Sequence, residues 1–519
     1  MTALDGLLDG IAVLVTPTNL AAVAVGVLLG TLVGVLPGIG PLGAMALLLV
    51  GTSDLRPETA LILLAGVYYG SAYGGSTTSI LMGIPGEAAS VVTAIDGHRM
   101  ALRGRAGAAL TVAAVGSFVA GTIAVVGVML FAPTLAAWGV ALGPPEYFAM
   151  ALLGLFALSR LGGNTTAQGL LILGFGLALA TIGLDPVGGV TRFTFGLDAL
   201  LQGIGLVPVA IGLFGIPELL EIAERGAKAE RVRSVRWREL FPTRREWRRS
   251  IPAISRGTVV GFLAGILPGP LPVVSTFASW KLEKRLSRHP EEFGQGAIEG
   301  VAGPESANNA ATTGQMVPVL ALGVPFGPAT AILLSALLLQ GIQPGPQLLT
   351  VHPDIFWAVI ASMYVGNLAL LVLNLPLVGL WVRILRLPAG VLLALVVLFV
   401  MVGTFADGNS TTDLVVMLAL GAISYLLRKV GLDVTPIILA IVLGAILENS
   451  MRQSLFMSRG DLAVFVERPA TLALLLVTAI VVVAPALRRL VRPSVRSRTG
   501  PPAIGAAEDR SSSIGRRSR

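Results

Sequence analysis

Apolar stretches long enough to cross a membrane recur along the chain between short polar turns, for example at residues 110–130, 167–182, 391–402 with their flanks, and 471–487. About 20 apolar helical residues span the roughly 30 Å hydrocarbon core of a bilayer. The pattern predicts crossings near 107–136, 147–158, 166–183 and 200–216, and a further set after Asp354. Two apolar runs are interrupted in the same way. Gly30-Thr-Leu-Val-Gly-Val-Leu-Pro-Gly38 returns without a gap as Gly261-Phe-Leu-Ala-Gly-Ile-Leu-Pro-Gly269. Proline removes a backbone hydrogen bond and glycine loosens a helix, so each run is predicted to break there. Paired breaks in corresponding halves of an apolar chain point to a transporter's substrate site.

Each half then carries a second polar stretch, expected to be irregular. The first reads Tyr68-Tyr-Gly-Ser-Ala-Tyr-Gly-Gly-Ser-Thr-Thr-Ser79 before Gly83-Ile-Pro-Gly86. The second reads Pro304-Glu-Ser-Ala-Asn-Asn-Ala-Ala-Thr-Thr313 before Gly323-Val-Pro-Phe-Gly327. Ser76, Thr77 and Thr78 offer hydroxyls beside Gly75. Glu305, Ser306, Asn308, Asn309, Thr312 and Thr313 offer a carboxylate, two amides and more hydroxyls. Two adjacent amides beside a carboxylate are costly in an apolar sequence and call for a role. A serine or threonine in a membrane helix, by contrast, often bonds only the turn behind it. Neither cluster contains lysine or arginine, so an anionic substrate would be held by helix N-termini, backbone N–H groups and hydroxyls. Oxygens near Ser76, Thr77, Asn308 and Asn309 suit Na⁺, and Glu305 is the alternative carrier of a proton. Glycines at every fourth position (Gly30/Gly34/Gly38, Gly66/Gly70/Gly74, Gly261/Gly265/Gly269) are expected to let helices approach closely.

Composition agrees with a polytopic membrane protein: 54% of residues are hydrophobic, 13% are charged, and mean hydropathy is +0.82. Too little charge remains to cover a large soluble core. Cysteine is absent, which excludes disulfides and thiol chemistry. The net charge of +8 lies mostly in a few arginine-rich blocks, a topology signal rather than a nucleic-acid footprint. The blocks at 225–249 and 488–519 are assigned to the cytoplasm, and residues 1–10 show no cleavable signal pattern. This divides the chain into a first membrane half (1–224), a basic linker (225–250), a second half (251–491) and a disordered basic tail (492–519). In the first half a basic loop (His98, Arg99, Arg103, Arg105) follows the Gly-Ile-Pro-Gly segment, whereas residues 343–354 hold no lysine or arginine. The second half instead places Lys281, Lys284, Arg285 and Arg288 directly after its Leu-Pro-Gly segment. A basic loop shifted by one element predicts inverted rather than parallel repeats. Residues 251–280 would then form a re-entrant hairpin from the cytoplasm and 11–50 one from outside, their tips meeting near the midplane. The expected fold is all-α.

Enzymatic signatures fail. Gly38-Ile-Gly-Pro-Leu-Gly43 fits G-x-G-x-x-G without a βαβ unit, there is no phosphate loop or H-E-x-x-H, and the three histidines fall in expected loops. Glu305 alone is not a catalytic constellation. A gated anion channel remains the first rival to a transporter, and an intramembrane enzyme the second.

Taken together, Leu36-Pro-Gly-Ile-Gly-Pro41, the Tyr68–Ser76 run, Ala94-Ile-Asp-Gly-His98, and the long segment from His289-Pro-Glu-Glu-Phe through Pro304-Glu-Ser-Ala-Asn-Asn-Ala-Ala311 resemble the large membrane subunit, TctA, of tripartite tricarboxylate transporters. The resemblance implies secondary uptake of a carboxylate across a bacterial inner membrane, driven by Na⁺ or H⁺ with no other cofactor. It implies two partners, a small four-helix membrane subunit and a periplasmic substrate-binding protein. The residues it marks as site-formers are Pro37, Gly38, Gly40, Gly75, Ser76, Thr77, Pro268, Gly269, Glu305, Ser306, Asn308 and Asn309.

Overall fold

The computed structural model describes residues 2–36, 40–83, 85–158, 165–185, 188–225, 240–267, 271–384, 397–398, 400–402, 404–405 and 410–491. Their regular structure is almost wholly helical, as a chain in hydrocarbon must be when each backbone polar group needs an internal partner. The first half runs α1 (Ala3–Leu14), α2 (Pro17–Val35), α3 (Pro41–Val50), α4 (Pro57–Met82), α5 (Val91–Leu102), α6 (Ala106–Val140), α7 (Pro144–Leu158) and α8 (Thr166–Ala180). A two-residue antiparallel ribbon, β1 (Gly183–Leu184) with β2 (Thr191–Arg192), precedes α9 (Leu206–Ala210), a π-helical turn at Ile211–Gly215 and α10 (Ile216–Arg225). The second half runs α11 (Arg244–Gly265), α12 (Leu271–Leu286), α13 (Glu299–Gly314), α14 (Met316–Leu322), α15 (Pro328–Leu339), α16 (Pro346–Val351), α17 (Pro353–Asn374) and α18 (Val378–Ile384). It closes with α19 (Thr411–Lys429), α20 (Thr435–Met457), α21 (Val464–Glu467) and α22 (Pro469–Val491). Among the described residues, five helices are long and apolar enough to cross a membrane: α2, α6, α17, α19 and α20.

The sequence repeat is also a packing repeat. Gly26, Gly30 and Gly34 of α2 lie against the backbone of α4, and Gly257, Gly261 and Gly265 of α11 lie against that of α13. A Cβ on Gly30 would come within 2.8 Å of Val67 Cα, and one on Gly261 within 2.7 Å of Ala307 Cα. Real Cβ atoms do not approach so closely, so glycine is what permits the contact. Both halves also end the following helix alike: Gly83 caps α4 at φ 71° and Gly323 caps α14 at φ 69°, left-handed conformations that disfavour a side chain.

One expectation fails. The polar stretches before these caps are not irregular: α4 is continuous through Tyr68–Ser79, and α13 through Pro304–Thr313. Gly66, Gly70 and Gly74 seat α4 on α2, as their four-residue spacing predicts. Tertiary packing overrides helix propensity here. The helices flanking each Leu-Pro-Gly break stop at Val35 and Gly265 and resume at Pro41 and Leu271. The tips themselves (Pro37, Gly38, Pro268, Gly269), the arginine block at 226–239 and the tail at 492–519 lie outside the described residues.

Ion pairs sort the loops by face. Arg105 pairs with Glu246, and Arg249 with both Glu292 (2.6 Å) and Glu299 (2.6 Å). The α5–α6 turn, the start of α11 and the α12–α13 connection therefore share one face. α11 and α12 pack together, with Arg256 bonded to Glu283 between them. At the other end of α4, Gln340 Nε2 donates to the carbonyls of Thr52 (2.7 Å) and Leu55 (3.1 Å), joining the turn after α15 to the α3–α4 turn.

These pairs give a pH prediction. Burial raises the Glu246 carboxyl, but hydrogen bonds from Arg105 and Thr243 outweigh it and hold the group below the ordinary range. The Arg249 hydrogen bond does the same for Glu292. A depressed folded-state pKa contributes stability that is present above the unfolded value, about 4.3 for glutamate, and is lost as pH falls through the folded one. Thermal melts of the purified protein should therefore drop between about pH 5 and pH 3. R105Q should flatten that drop; an unchanged pH profile in R105Q would dismiss the pair.

Candidate functional site

Polar side chains converge where α4, α5, α6, α13 and α17 meet. Glu305, fully buried on α13, accepts hydrogen bonds from Ser76 Oγ on α4 and Thr93 Oγ1 on α5. Three residues on, Asn308 Nδ2 donates to Glu87 Oε1 (2.6 Å), just past the α4 cap. Asn309 Nδ2 donates to Ser117 Oγ of α6 (2.7 Å) and to the Glu305 carbonyl (3.1 Å). Tyr68 OH reaches Gln315 Oε1 (2.6 Å), and Tyr73 OH reaches Asn367 Oδ1 of α17 (2.6 Å). Because Tyr68 meets Gln315 while Ser76 meets Glu305, α4 and α13 run antiparallel. The two helices also make corresponding excursions: α13 bonds the long α6 of the first half, and α4 bonds the long α17 of the second.

Among the described residues, no lysine or arginine pairs with Glu87 or Glu305. The center thus offers carboxylates, amides and hydroxyls without a fixed cation. A small pocket beside it is lined by Tyr73, Ser76, Thr77, Ser117 and Asn374 on one side and the apolar Leu110, Ala113 and Ala114 of α6 on the other, and Asn374 Oδ1 is buried without a hydrogen-bond partner. Ser76 belongs to both, so a ligand in the pocket would lie one hydroxyl away from Glu305.

The sequence-derived site residues divide accordingly. Gly75, Ser76, Thr77, Glu305, Asn308 and Asn309 are brought together; a Cβ at Gly75 would sit 2.9 Å from Glu87 Cγ, so this glycine makes room for the carboxylate. Thr78 points elsewhere, donating to the Val35 carbonyl at the end of α2 (2.6 Å). Ser306 bonds the turn behind it, at Ala302 O (2.8 Å). Thr312 and Thr313 are buried farther along α13, toward Tyr68 and Gln315. Gly40 receives a protein carboxylate: its N–H donates to Glu218 Oε2 of α10 (2.9 Å), at the start of α3 where the helix dipole favours negative charge.

Sequence reasoning missed Glu87, Thr93, Ser117, Asn367, Asn374 and Glu218. Only Glu87 carried a signal, as an acid directly after a Gly-Ile-Pro-Gly break. Asp96, in the Ala94-Ile-Asp-Gly-His98 segment, is a fastening rather than part of the center. Its Oδ1 accepts from the N–H groups of Gly294 (2.8 Å), Gly296 (2.8 Å) and Ala297 (3.0 Å), and its Oδ2 from Trp280 Nε1 (2.8 Å).

Among the described residues, several helices long and apolar enough to cross a membrane surround a polar center between two glycine-packed helix pairs, the architecture of a multi-pass membrane protein, and the family match makes its class that of a transporter. The chain belongs to the tripartite tricarboxylate transporter TctA family, whose model matches residues 20–439. It is 45% identical over 499 residues to an uncharacterised 52.8 kDa protein in the TAR-I ttuC' 3' region of Agrobacterium vitis, covering 96% of this chain and 98% of that one. It is 46% identical over 231 residues to an uncharacterised protein in the TAR-II ttuC' 3' region of the same organism, covering 44% of this chain and 96% of that one. No solved structure matches.

Proposed function

We propose that this chain is the translocating subunit of a three-part system that takes up a carboxylate, such as a tricarboxylate, across a bacterial inner membrane in symport with Na⁺ or H⁺. A periplasmic binding protein delivers the substrate, a small four-helix membrane subunit completes the complex, and the C-terminus is cytoplasmic. The observation that carries this reading is the buried center itself: Glu305 with Ser76 and Thr93, and Asn308 with Glu87, beside the pocket at Thr77, Ser117 and Asn374. A polyanion held by hydroxyls and amides next to unpaired carboxylates has to travel with cations, which ties its movement to an ion gradient.

Inversion of the two halves belongs to the same reading. It is supported by the antiparallel course of α4 and α13, which carry the corresponding polar stretches, and by the loop contacts. The α5–α6 turn meets the start of α11, while the turn after α15 meets the end of α3 at the other end of α4. Alternating access by rocking of inverted halves about a fixed site is the motion such a plan permits.

Uptake into proteoliposomes, with the binding protein and the small subunit present, tests the function. Accumulation above equilibrium is expected under an inward Na⁺ or H⁺ gradient. Equilibration without accumulation under either gradient would make the protein a passive anion channel instead.

A further inference from the structure

We propose that the cavity between α8, α20 and the β1–β2 ribbon is a phospholipid site in which Arg192 grips the phosphodiester. The inference stands apart from the transport reading and needs only that these helices lie in a bilayer. α8 and α20 run side by side: a Cβ at Gly176 would lie 2.7 Å from Ala440 Cβ, and one at Gly444 3.2 Å from Ala180 Cβ. Beyond that contact a cavity of about 260 Å³ opens between their C-terminal turns and the ribbon. Leu177, Leu447 and Met451 line it with hydrocarbon, and Arg192, Glu448 and Arg452 line it with charge. Thr181 lies there too, its hydroxyl spent on the Ala178 carbonyl (2.7 Å).

Arg192 carries unspent donors. Its Nη1 donates to Glu448 Oε1 (2.8 Å), but its Nε is buried without a hydrogen-bond partner, and its Nη2 makes no hydrogen bond among the described residues. In Arg105, Arg249 and Arg256 the same Nε–Nη2 edge grips both oxygens of a glutamate. Two parallel donors match the geometry of a carboxylate or a phosphate, and a buried charged donor left unpaired is costly. Arg192 therefore calls for an oxyanion from outside the chain. Its neighbours limit which one. Arg452 is spent on Asp185 (3.0 Å) and on Glu448 Oε1 (2.7 Å), so two arginines face two acids and the cluster is neutral. A singly charged phosphodiester suits that balance, whereas a tricarboxylate would bring excess negative charge beside Glu448 and Asp185.

The ribbon gives an independent reason to place a lipid here. Phe193 and Phe195 are 63% and 82% exposed, both at φ 51°, and Leu184 and Val190 are exposed near them. Large apolar side chains held outward in left-handed backbone serve no core within the chain. At the edge of a bilayer they sit among headgroups and upper acyl chains, which puts Arg192, on the same ribbon, at the depth of the lipid phosphates.

The test is native mass spectrometry of the purified full-length chain in detergent, titrated with phosphatidylglycerol. A retained, saturable lipid adduct is expected in the wild type. R192Q and R192K should each weaken it about tenfold or more, the lysine because it keeps the charge opposite Glu448 but loses the paired edge. R56Q, at an exposed turn, should leave it unchanged. Gel filtration identifies any variant that fails to fold. Three further probes separate the sources of an oxyanion: dioleoylglycerol, which lacks the phosphate, inorganic phosphate, and citrate. Equal retention of dioleoylglycerol would reduce the cavity to an apolar lipid contact. Displacement of the lipid by inorganic phosphate or citrate would make it a site for soluble anions. Either result overturns the proposal, as does a wild type without a saturable adduct or unaltered phosphatidylglycerol binding in folded R192Q and R192K.

Discussion

Glu305→Ala should cut carboxylate accumulation severely while leaving the protein inserted in the membrane. Ser76 keeps an alternative acceptor in the Ala72 carbonyl (3.0 Å), but the substitution removes the acceptor that Thr93 now uses and the carboxyl group at the heart of the center. A hydrogen bond to a buried charged group is worth about 1.5–3 kcal/mol, and about 1.4 kcal/mol is a factor of ten. Losing the Thr93 bond without a replacement predicts a fall of about tenfold or more in initial uptake rate, measured per inserted molecule in proteoliposomes. Glu305→Asp, which retains the carboxyl on a shorter arm, should fall between the alanine variant and the wild type. Uptake by the alanine variant within about threefold of wild type would mean that Glu305 is only a structural hydrogen-bond acceptor.

Gly261→Val should have the largest effect on stability. Its new Cβ would collide with the carbonyl oxygen and Cα of Ala307, both backbone atoms of α13 that no rotamer change can move aside. Overpacking costs about 1–3 kcal/mol where side chains give way and more where they cannot, against a total stability of about 5–15 kcal/mol. The variant should melt well below the wild type or aggregate on gel filtration. Gly174→Val supplies the control, since a Cβ at Gly174 of α8 meets nothing within 4 Å. Equal melting of the two variants would show that the α11–α13 contact does not need its glycine.

Residues whose meaning lies in their local neighbourhood were legible in the sequence. The Leu-Pro-Gly repeat predicted where α2 and α11 end, and four-residue glycine spacing predicted close packing. The run of Glu305, Asn308 and Asn309 stood out because polarity there is costly in an apolar chain. What escaped was pairing across the chain. Glu87 meets Asn308 across 221 positions, and Gly40 meets Glu218 across 178, with no periodicity to announce either contact. The glycine-rich stretch Tyr68–Ser79 read as irregular because propensity cannot register a partner helix, and α2 is what makes α4 continuous. Ser306 and Thr78 show the opposite error: they share the composition of a site and bond only nearby or neighbouring backbone carbonyls.

The glycine stripes bear on how the molecule can move. Backbone seated on backbone makes α2 with α4, and α11 with α13, into splinted pairs: a slide of even one residue would drive side chains into grooves that admit only hydrogen atoms. Relative motion is therefore confined to boundaries made of side chains. The α4–α13 boundary is such a place, held by Ser76 to Glu305 and Tyr68 to Gln315. On the transport function proposed above, those contacts would be broken and remade as substrate passes, so the hydrogen bonds of the center would serve as the clasp between two stiff halves of one hinge.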